Sequence, residues 1–149
     1  PDSIATLGIN AKMNEFQAAM GLAVLDEIDE VFKGRERVWE FYKSKLEGKF
    51  QLQERNPSAN NNYSYFPLIF ATESELLIRL RQMKEKNIYP RRYFYPSLDS
   101  VNYVREAKTP MSRNLASRIL CLPLSYDLTF QEINHICEII SNKMIQHGK

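Results

Sequence analysis

Residues 14–47 read NEFQAAMGLAVLDEIDEVFKGRERVWEFYKSKLE. Apolar side chains recur by threes and fours, from Phe16, Ala19, Met20 and Ala23 through Val31 to Val38, Phe41, Tyr42 and Leu46. That spacing predicts one long helix with a single apolar face. Asp26, Glu27, Asp29, Glu30, Arg35, Glu36 and Arg37 crowd its middle. Gly21 and Gly34 each weaken it by about 1 kcal/mol relative to Ala, and a bend is expected near Gly34. Gly48 is a natural stop. The heptads are too imperfect for a coiled coil, so a helix of this length reads as a connector between two domains.

Downstream the pattern changes. Residues 53–62 (QERNPSANNN) are polar and loop-like, and residues 63–70 (YSYFPLIF) read as a strand. Pro67 inside that strand predicts an edge position or a bulge, because proline cannot donate to a ladder. Thr72 with Glu75 forms a capping-box pair that opens a short amphipathic helix ending near Asn87. Ile88-Tyr89 could begin a strand that Pro90 interrupts. Thr109-Pro110 starts another helix, Ile119–Leu122 is a short buried strand containing Cys121 as a core residue, and Thr129 with Glu132 caps a final helix carrying Ile133, Ile136, Ile140 and Met144. The expected architecture is α/β, more narrowly an α+β small domain: a sheet of few strands with helices on one face and a long helix attached.

Composition limits the chemistry. The 149 residues are 44% hydrophobic and 26% charged, which suits a globular chain with a real core. Twenty Lys and Arg against 18 Asp and Glu leave a net charge of +2, too little for a dedicated polyanion binder. Two Cys make no disulfide framework and two His make no His-rich metal site. His135 and Cys137 are two apart on a helix and face different ways. No glycine-rich phosphate loop is present. No apolar run reaches membrane-spanning length, and no signal pattern opens the chain, so no membrane association is expected and the cytoplasm is the default compartment. The chain begins at Pro1 and enters a helical pattern almost at once. It could be a complete small protein or a piece of a longer one.

The least ordinary stretch is residues 89–98, YPRRYFYPSL. Arg91 and Arg92 sit among Tyr89, Tyr93, Phe94 and Tyr95, between Pro90 and Pro96. Arginine offers a planar fork for phosphate. Tyrosine offers a stacking face and a hydroxyl. Two prolines restrict the loop and reduce the entropy lost on binding. The combination suits a nucleotide or a sugar diphosphate; composition alone leaves a strand end with surface arginines equally open.

Taken in order, these segments resemble the DegT/DnrJ/EryC1/StrS family of sugar aminotransferases, pyridoxal-phosphate enzymes of the aspartate-aminotransferase fold (fold type I). The match begins at GINAKMNEFQAAMGL, where Lys12 stands at a position the family gives to Arg. It continues through DEIDEVFKGRERVWEFYKSKL, NIYPRRYFYPSL and RNLASRILCLPLSYDLT to the Thr129-headed helix. The resemblance implies a C-terminal portion of such an enzyme. Residues 1–48 would be the end of a large domain and the long interdomain helix, and residues 49–149 the C-terminal small domain. The Schiff-base lysine lies upstream in the family, so this chain is expected to hold no catalytic residue and to be inactive alone. Asn10 is expected to reach the cofactor phosphate of the neighbouring subunit in a homodimer, with Lys12 near that phosphate or the substrate diphosphate. Arg91, Arg92, Tyr93 and Tyr95 are expected to face the nucleotide-sugar substrate. Leu98 departs from the His the family often carries there, which bears on the sugar. The implied reaction moves an amino group from an amino acid, such as glutamate, to a keto-deoxysugar nucleotide for surface polysaccharide. A sugar dehydratase of the same family, with His in place of the lysine, stays open. So does a binding module that stacks a nucleotide or a single nucleic-acid strand on Tyr89–Pro96, against which the near-neutral charge counts.

Overall fold

The computed structural model describes residues 11–101 and 108–142. Asn10, Met144 and Gly148 lie outside the described residues. The elements are α1 (Glu15–Asp26), α2 (Ile28–Leu46), β1 (Gln51–Leu52), β2 (Phe66–Ile69), α3 (Glu73–Glu85), α4 (Pro110–Arg118), β3 (Ile119–Leu122) and α5 (Phe130–Ser141).

The long helical stretch is two helices that break at Glu27, where a bend at Gly34 is expected from sequence. Charge explains the place. Asp26, Glu27, Asp29 and Glu30 repel one another across one turn. Acids are unfavourable at the C-terminal end of α1, which has no basic residue in its last turn, and favourable at the N-terminus of α2. Gly34 lies inside α2, and it is there for a packing reason. A Cβ there would lie 2.8 Å from both the Cβ and the carbonyl oxygen of Tyr126, so the missing side chain lets the loop after β3 rest directly on the helix.

The two helices also differ in their faces. α2 buries Val38, Trp39, Tyr42 and Leu46 along one stripe. α1 carries apolar residues all round and buries none of them: Phe16 is 76% exposed and Leu22 65%. A single apolar face therefore describes α2 alone. α1 is held by its own sequence. Asn14 Oδ1 accepts from Gln17 N–H at 2.8 Å, and Gln17 Oε1 accepts from Asn14 N–H at 3.0 Å, a reciprocal cap.

The sheet is antiparallel in the order β1-β2-β3. Phe66 opposes Leu122 and Leu68 opposes Leu120. Those four side chains share one face, where they join α2, α3 and α5 through Tyr42, Leu46, Leu76, Met83, Ile133 and Ile140. β2 is thus the central strand, whereas Pro67 predicts an edge position or a bulge. The geometry resolves the conflict. Cys121, opposite Pro67, turns its own N–H and carbonyl away from β2, so Pro67 faces the β1 side with its nitrogen. β1 stops at Leu52, opposite Leu68, and no partner waits for the missing N–H. The anticipated strand at Ile88-Tyr89 is absent. Asn87 takes a left-handed φ of 60° and Ile88 N–H bonds back to the Met83 carbonyl at 2.9 Å, which ends α3.

The remaining helices start where the sequence puts them, but Thr72 and Glu75 make half of the expected box, since the Glu75 carboxylate accepts from Ala71 N–H instead, and the Thr109 side chain makes no cap hydrogen bond. Thr72 Oγ1 accepts from Glu75 N–H at 3.1 Å. Pro110 opens α4. Thr129 and Glu132 make a complete capping box on α5.

Candidate functional site

Beside β3 the chain gains a further bridge. Arg91 N–H donates to the Cys121 carbonyl at 3.0 Å, and Cys121 N–H donates to the Arg91 carbonyl at 2.8 Å. Side chains alternate across such an extended segment, so Arg91 and Arg92 point to opposite sides. Arg92 turns toward α3 and α4. Its Nη2 donates to Glu73 Oε1 at 2.6 Å and to the Ser117 carbonyl at 3.0 Å, while its guanidinium lies 3.6 Å from the centre of the Tyr95 ring. Arg91 turns the other way. Its Nη1 donates to the Tyr93 hydroxyl at 2.5 Å, and the Tyr93 ring packs edge-on against Tyr65 at 5.2 Å. The Tyr93–Phe94 and Tyr95–Pro96 peptide bonds are cis.

Arg91 and Tyr93 thereby enter a cavity of about 370 Å³. Its walls come from four places: Arg35 on α2, Ser64 and Tyr65 ahead of β2, the trio Tyr89, Arg91 and Tyr93, and Cys121 to Ser125 leaving β3. The lining holds two arginines, three tyrosines and two serines but no carboxylate. Low-dielectric walls around one sign of charge concentrate the opposite sign. Such a lining suits an anion with several acceptor oxygens.

Of the residues singled out from sequence, Arg91 and Tyr93 share this cavity, and Arg92 and Tyr95 form a stacked pair beyond it. Lys12 is exposed in the segment ahead of α1 and is not part of the lining. Cys121 is buried, as expected, but on the sheet face opposite the core, where it borders the cavity. Burial pushes its thiol above the ordinary range. Arg35, Tyr65, Ser64 and Ser125 are the lining residues sequence reasoning misses. Gly34 was the available signal: a glycine inside a helix marks a close approach, and the loop that approaches carries Ser125.

No lysine among the described residues lines the cavity. Among them, no cluster of His, Cys, Asp or Glu could hold a metal ion, and no helix is long and apolar enough to cross a membrane.

Known proteins resemble this chain in sequence and in fold. A dTDP-4-amino-4,6-dideoxy-D-glucose transaminase from Shigella dysenteriae is 32% identical over 146 residues, 93% of this chain and 40% of that protein. A GDP-perosamine synthase from Escherichia coli O157:H7 is 25% identical over 91% of this chain and 37% of its own length. The solved structure of the aminotransferase TlmJ from Streptoalloteichus hindustanus matches the fold with a TM-score of 0.79 at 20% identity, over 93% of this chain and 38% of that one. The chain thus spans about 40% of the length of the curated relatives it matches. A family model covers residues 2–141, nearly the whole run of segments described above. The chain belongs to the DegT/DnrJ/EryC1/StrS aminotransferase family.

Proposed function

We propose that this chain is the C-terminal portion of an enzyme that transfers an amino group from an amino acid, with glutamate the donor, to a keto-deoxysugar nucleotide. The donor is oxidised to its keto acid and the sugar carbonyl becomes an amine, in the service of amino-sugar and surface-polysaccharide synthesis. The observation that carries this reading is the carboxylate-free cavity with Arg35 and Arg91. A nucleotide sugar presents a diphosphate, and the names of the dTDP- and GDP-linked relatives fit that substrate class.

In this reading residues 1–48 join the small domain, residues 49–149, to a larger one. Arg91 and Tyr93 contact the substrate. Arg92, anchored to Glu73 and stacked on Tyr95, fixes the shape of the segment that presents them. Pyridoxal phosphate, bound by the whole enzyme, supplies the amine carrier and the electron sink. Asn10 and Lys12 lie toward its phosphate, reaching across a homodimer. The enzyme works in the cytoplasm.

The test has two arms. The full-length protein, supplied with pyridoxal phosphate, glutamate and a dTDP- or GDP-linked 4-keto-6-deoxysugar, is expected to release 2-oxoglutarate in step with the amino sugar. This chain alone, mixed with pyridoxal phosphate, is expected to give no aldimine absorbance. Failure of the full-length protein with both nucleotide sugars would refute the assignment, and a borohydride-trappable adduct at one lysine of this chain would refute its inactivity.

A further inference from the structure

Two non-glycine residues among those described take a left-handed φ, Asn87 at 60° and Tyr63 at 47°. Asparagine tolerates that region, and Asn87 ends α3 with it. A tyrosine there is an outlier, because its Cβ crowds the carbonyl that follows. Such a conformation persists where the surroundings impose it. Those of Tyr63 do so from several sides. Its hydroxyl donates to Glu36 Oε1 on α2. Its ring meets Trp39 edge-on at 6.1 Å, and the Arg55 guanidinium lies 5.3 Å from the ring centre. Its N–H donates to Asn61 Oδ1 at 2.9 Å.

Tyr63 itself is buried in the core cluster, while the next two residues, Ser64 and Tyr65, are exposed and line the cavity. From Tyr65 the contacts run on through Tyr93 to Arg91. On the helix, Glu36 directly follows Arg35, which lines another wall. The bond between Glu36 and Tyr63 therefore ties the α2 wall of the cavity to the Ser64–Tyr65 wall from behind.

We propose that Glu36 and Tyr63 are positioning residues: their hydrogen bond holds the left-handed turn that sets Ser64 and Tyr65 in the cavity, and neither side chain touches the ligand. The inference rests on the nucleotide-sugar reading above and adds to it two residues outside the lining. Packing against Trp39 needs only the ring of Tyr63, and a phenylalanine would serve it. The hydroxyl is the part that crosses to α2, and a bond to a carboxylate is stronger than one between neutral groups. Without it the turn is free to relax toward the ordinary extended region, carrying Tyr65 away from Tyr93. In that reading the cavity holds the diphosphate, which takes no part in amino transfer. Loosened walls then weaken substrate and transition state alike, which raises KM and spares kcat.

The experiment is steady-state kinetics of the full-length protein with dTDP- and GDP-linked 4-keto-6-deoxysugars, at saturating pyridoxal phosphate and glutamate. Thermal midpoints are read in parallel. We expect Tyr63→Phe to raise the KM for the nucleotide sugar about tenfold with kcat unchanged. Glu36→Ala should match it, and the double variant should be no worse than either single one. Glu36→Gln keeps an acceptor in place and should return KM to near the wild-type value. Tyr42→Phe is the control: it removes a buried α2 phenol whose hydroxyl has no partner among the described residues, and it should leave KM unchanged. If Tyr63→Phe does not fold, the two Glu36 variants carry the test. An unchanged KM in Tyr63→Phe, whether or not its thermal midpoint falls, would overturn the positioning role and leave the nucleotide-sugar reading standing. A KM in Glu36→Gln as high as in Glu36→Ala would also overturn it, since the carboxylate would then act by its charge beside Arg35. A wild-type protein that turns over neither nucleotide sugar would remove both readings.

Discussion

Arg91 and Cys121 exchange both of their main-chain hydrogen bonds, at 3.0 and 2.8 Å. That one bridge sorts two adjacent arginines, otherwise identical in sequence context, into different roles. Arg91 is left to the cavity. Arg92 is given to the fold, through Glu73, Ser117 and Tyr95.

The first prediction separates them by stability. Arg92→Ala should cost about 1–2 kcal/mol, because its side chain is only 16% exposed and its loss strands the Ser117 carbonyl. Arg91→Ala should cost less than about 0.5 kcal/mol, since among the described residues its side chain bonds only the neutral Tyr93 hydroxyl. Urea unfolding at constant m-value makes the comparison. Equal losses would contradict the alternation.

A second concerns glycine. In open helix, Gly→Ala gains about 1 kcal/mol. Gly21 has nothing within 4 Å of where its Cβ would stand, so Gly21→Ala should raise α1 helicity in far-ultraviolet circular dichroism. Gly34→Ala should do the reverse and destabilise by about 1–3 kcal/mol, because its Cβ would collide with Tyr126. It should also weaken dTDP binding, since displacing Tyr126 moves the Ser125 wall of the cavity.

A third follows from the cap of α5. The main-chain and side-chain hydrogen bonds from Thr129 hold the Glu132 carboxyl below the usual glutamate range. A group whose pKa is depressed by folding stabilises the fold above its unfolded pKa, and that contribution is lost as pH falls through the folded one. Wild type should therefore shed this stability on acidification below the ordinary glutamate pKa. Glu132→Gln, which keeps an acceptor at the same position, should lack that part of the pH dependence. Parallel pH profiles for the two proteins would refute it.

The thiols give a fourth. Burial raises both Cys121 and Cys137, the latter to about 11. Both should react slowly with a disulfide reagent at pH 8 and rapidly once unfolded. Cys121 borders the cavity and Cys137 belongs to the core cluster, so Cys121 should label first. The opposite order, followed by mass spectrometry, would contradict the placement of these two residues.

Much of the fold was legible because its signals are local. Asn14, Thr72 and Thr129 announce their helices by side-chain chemistry that acts within four residues. Ile119–Leu122 announces β3 by apolar continuity. What escaped depends on partners distant in sequence. β1 is two residues long and exists only because β2 lies beside it. Pro67 is tolerated at the centre of the sheet because β1 ends one residue early, a fact no property of Pro67 encodes. Gly34 looked like a weakness until Tyr126 arrived. The cavity divides the same way. Residues 89–96 stood out by composition, but the bridge to Cys121 decides which of their side chains enters it. Arg35 is brought there only when α2 and the β3 loop close on each other.

The exposed all-round apolarity of α1 has a consequence for how the chain holds its order. A helix of 12 residues with no buried side chain draws nothing from the core and stands near the length at which isolated helices are marginal in water. α2, the next helix along the same rail, is anchored by four buried residues. The two are one residue apart in sequence and separate in thermodynamics. Amide protons of α2 should exchange by global unfolding, whereas those of α1 should exchange by local fraying at far lower cost. Any surface that covered Phe16, Met20 and Leu22 would slow the second process and leave the first almost unchanged, making α1 a built-in reporter of whatever docks against it.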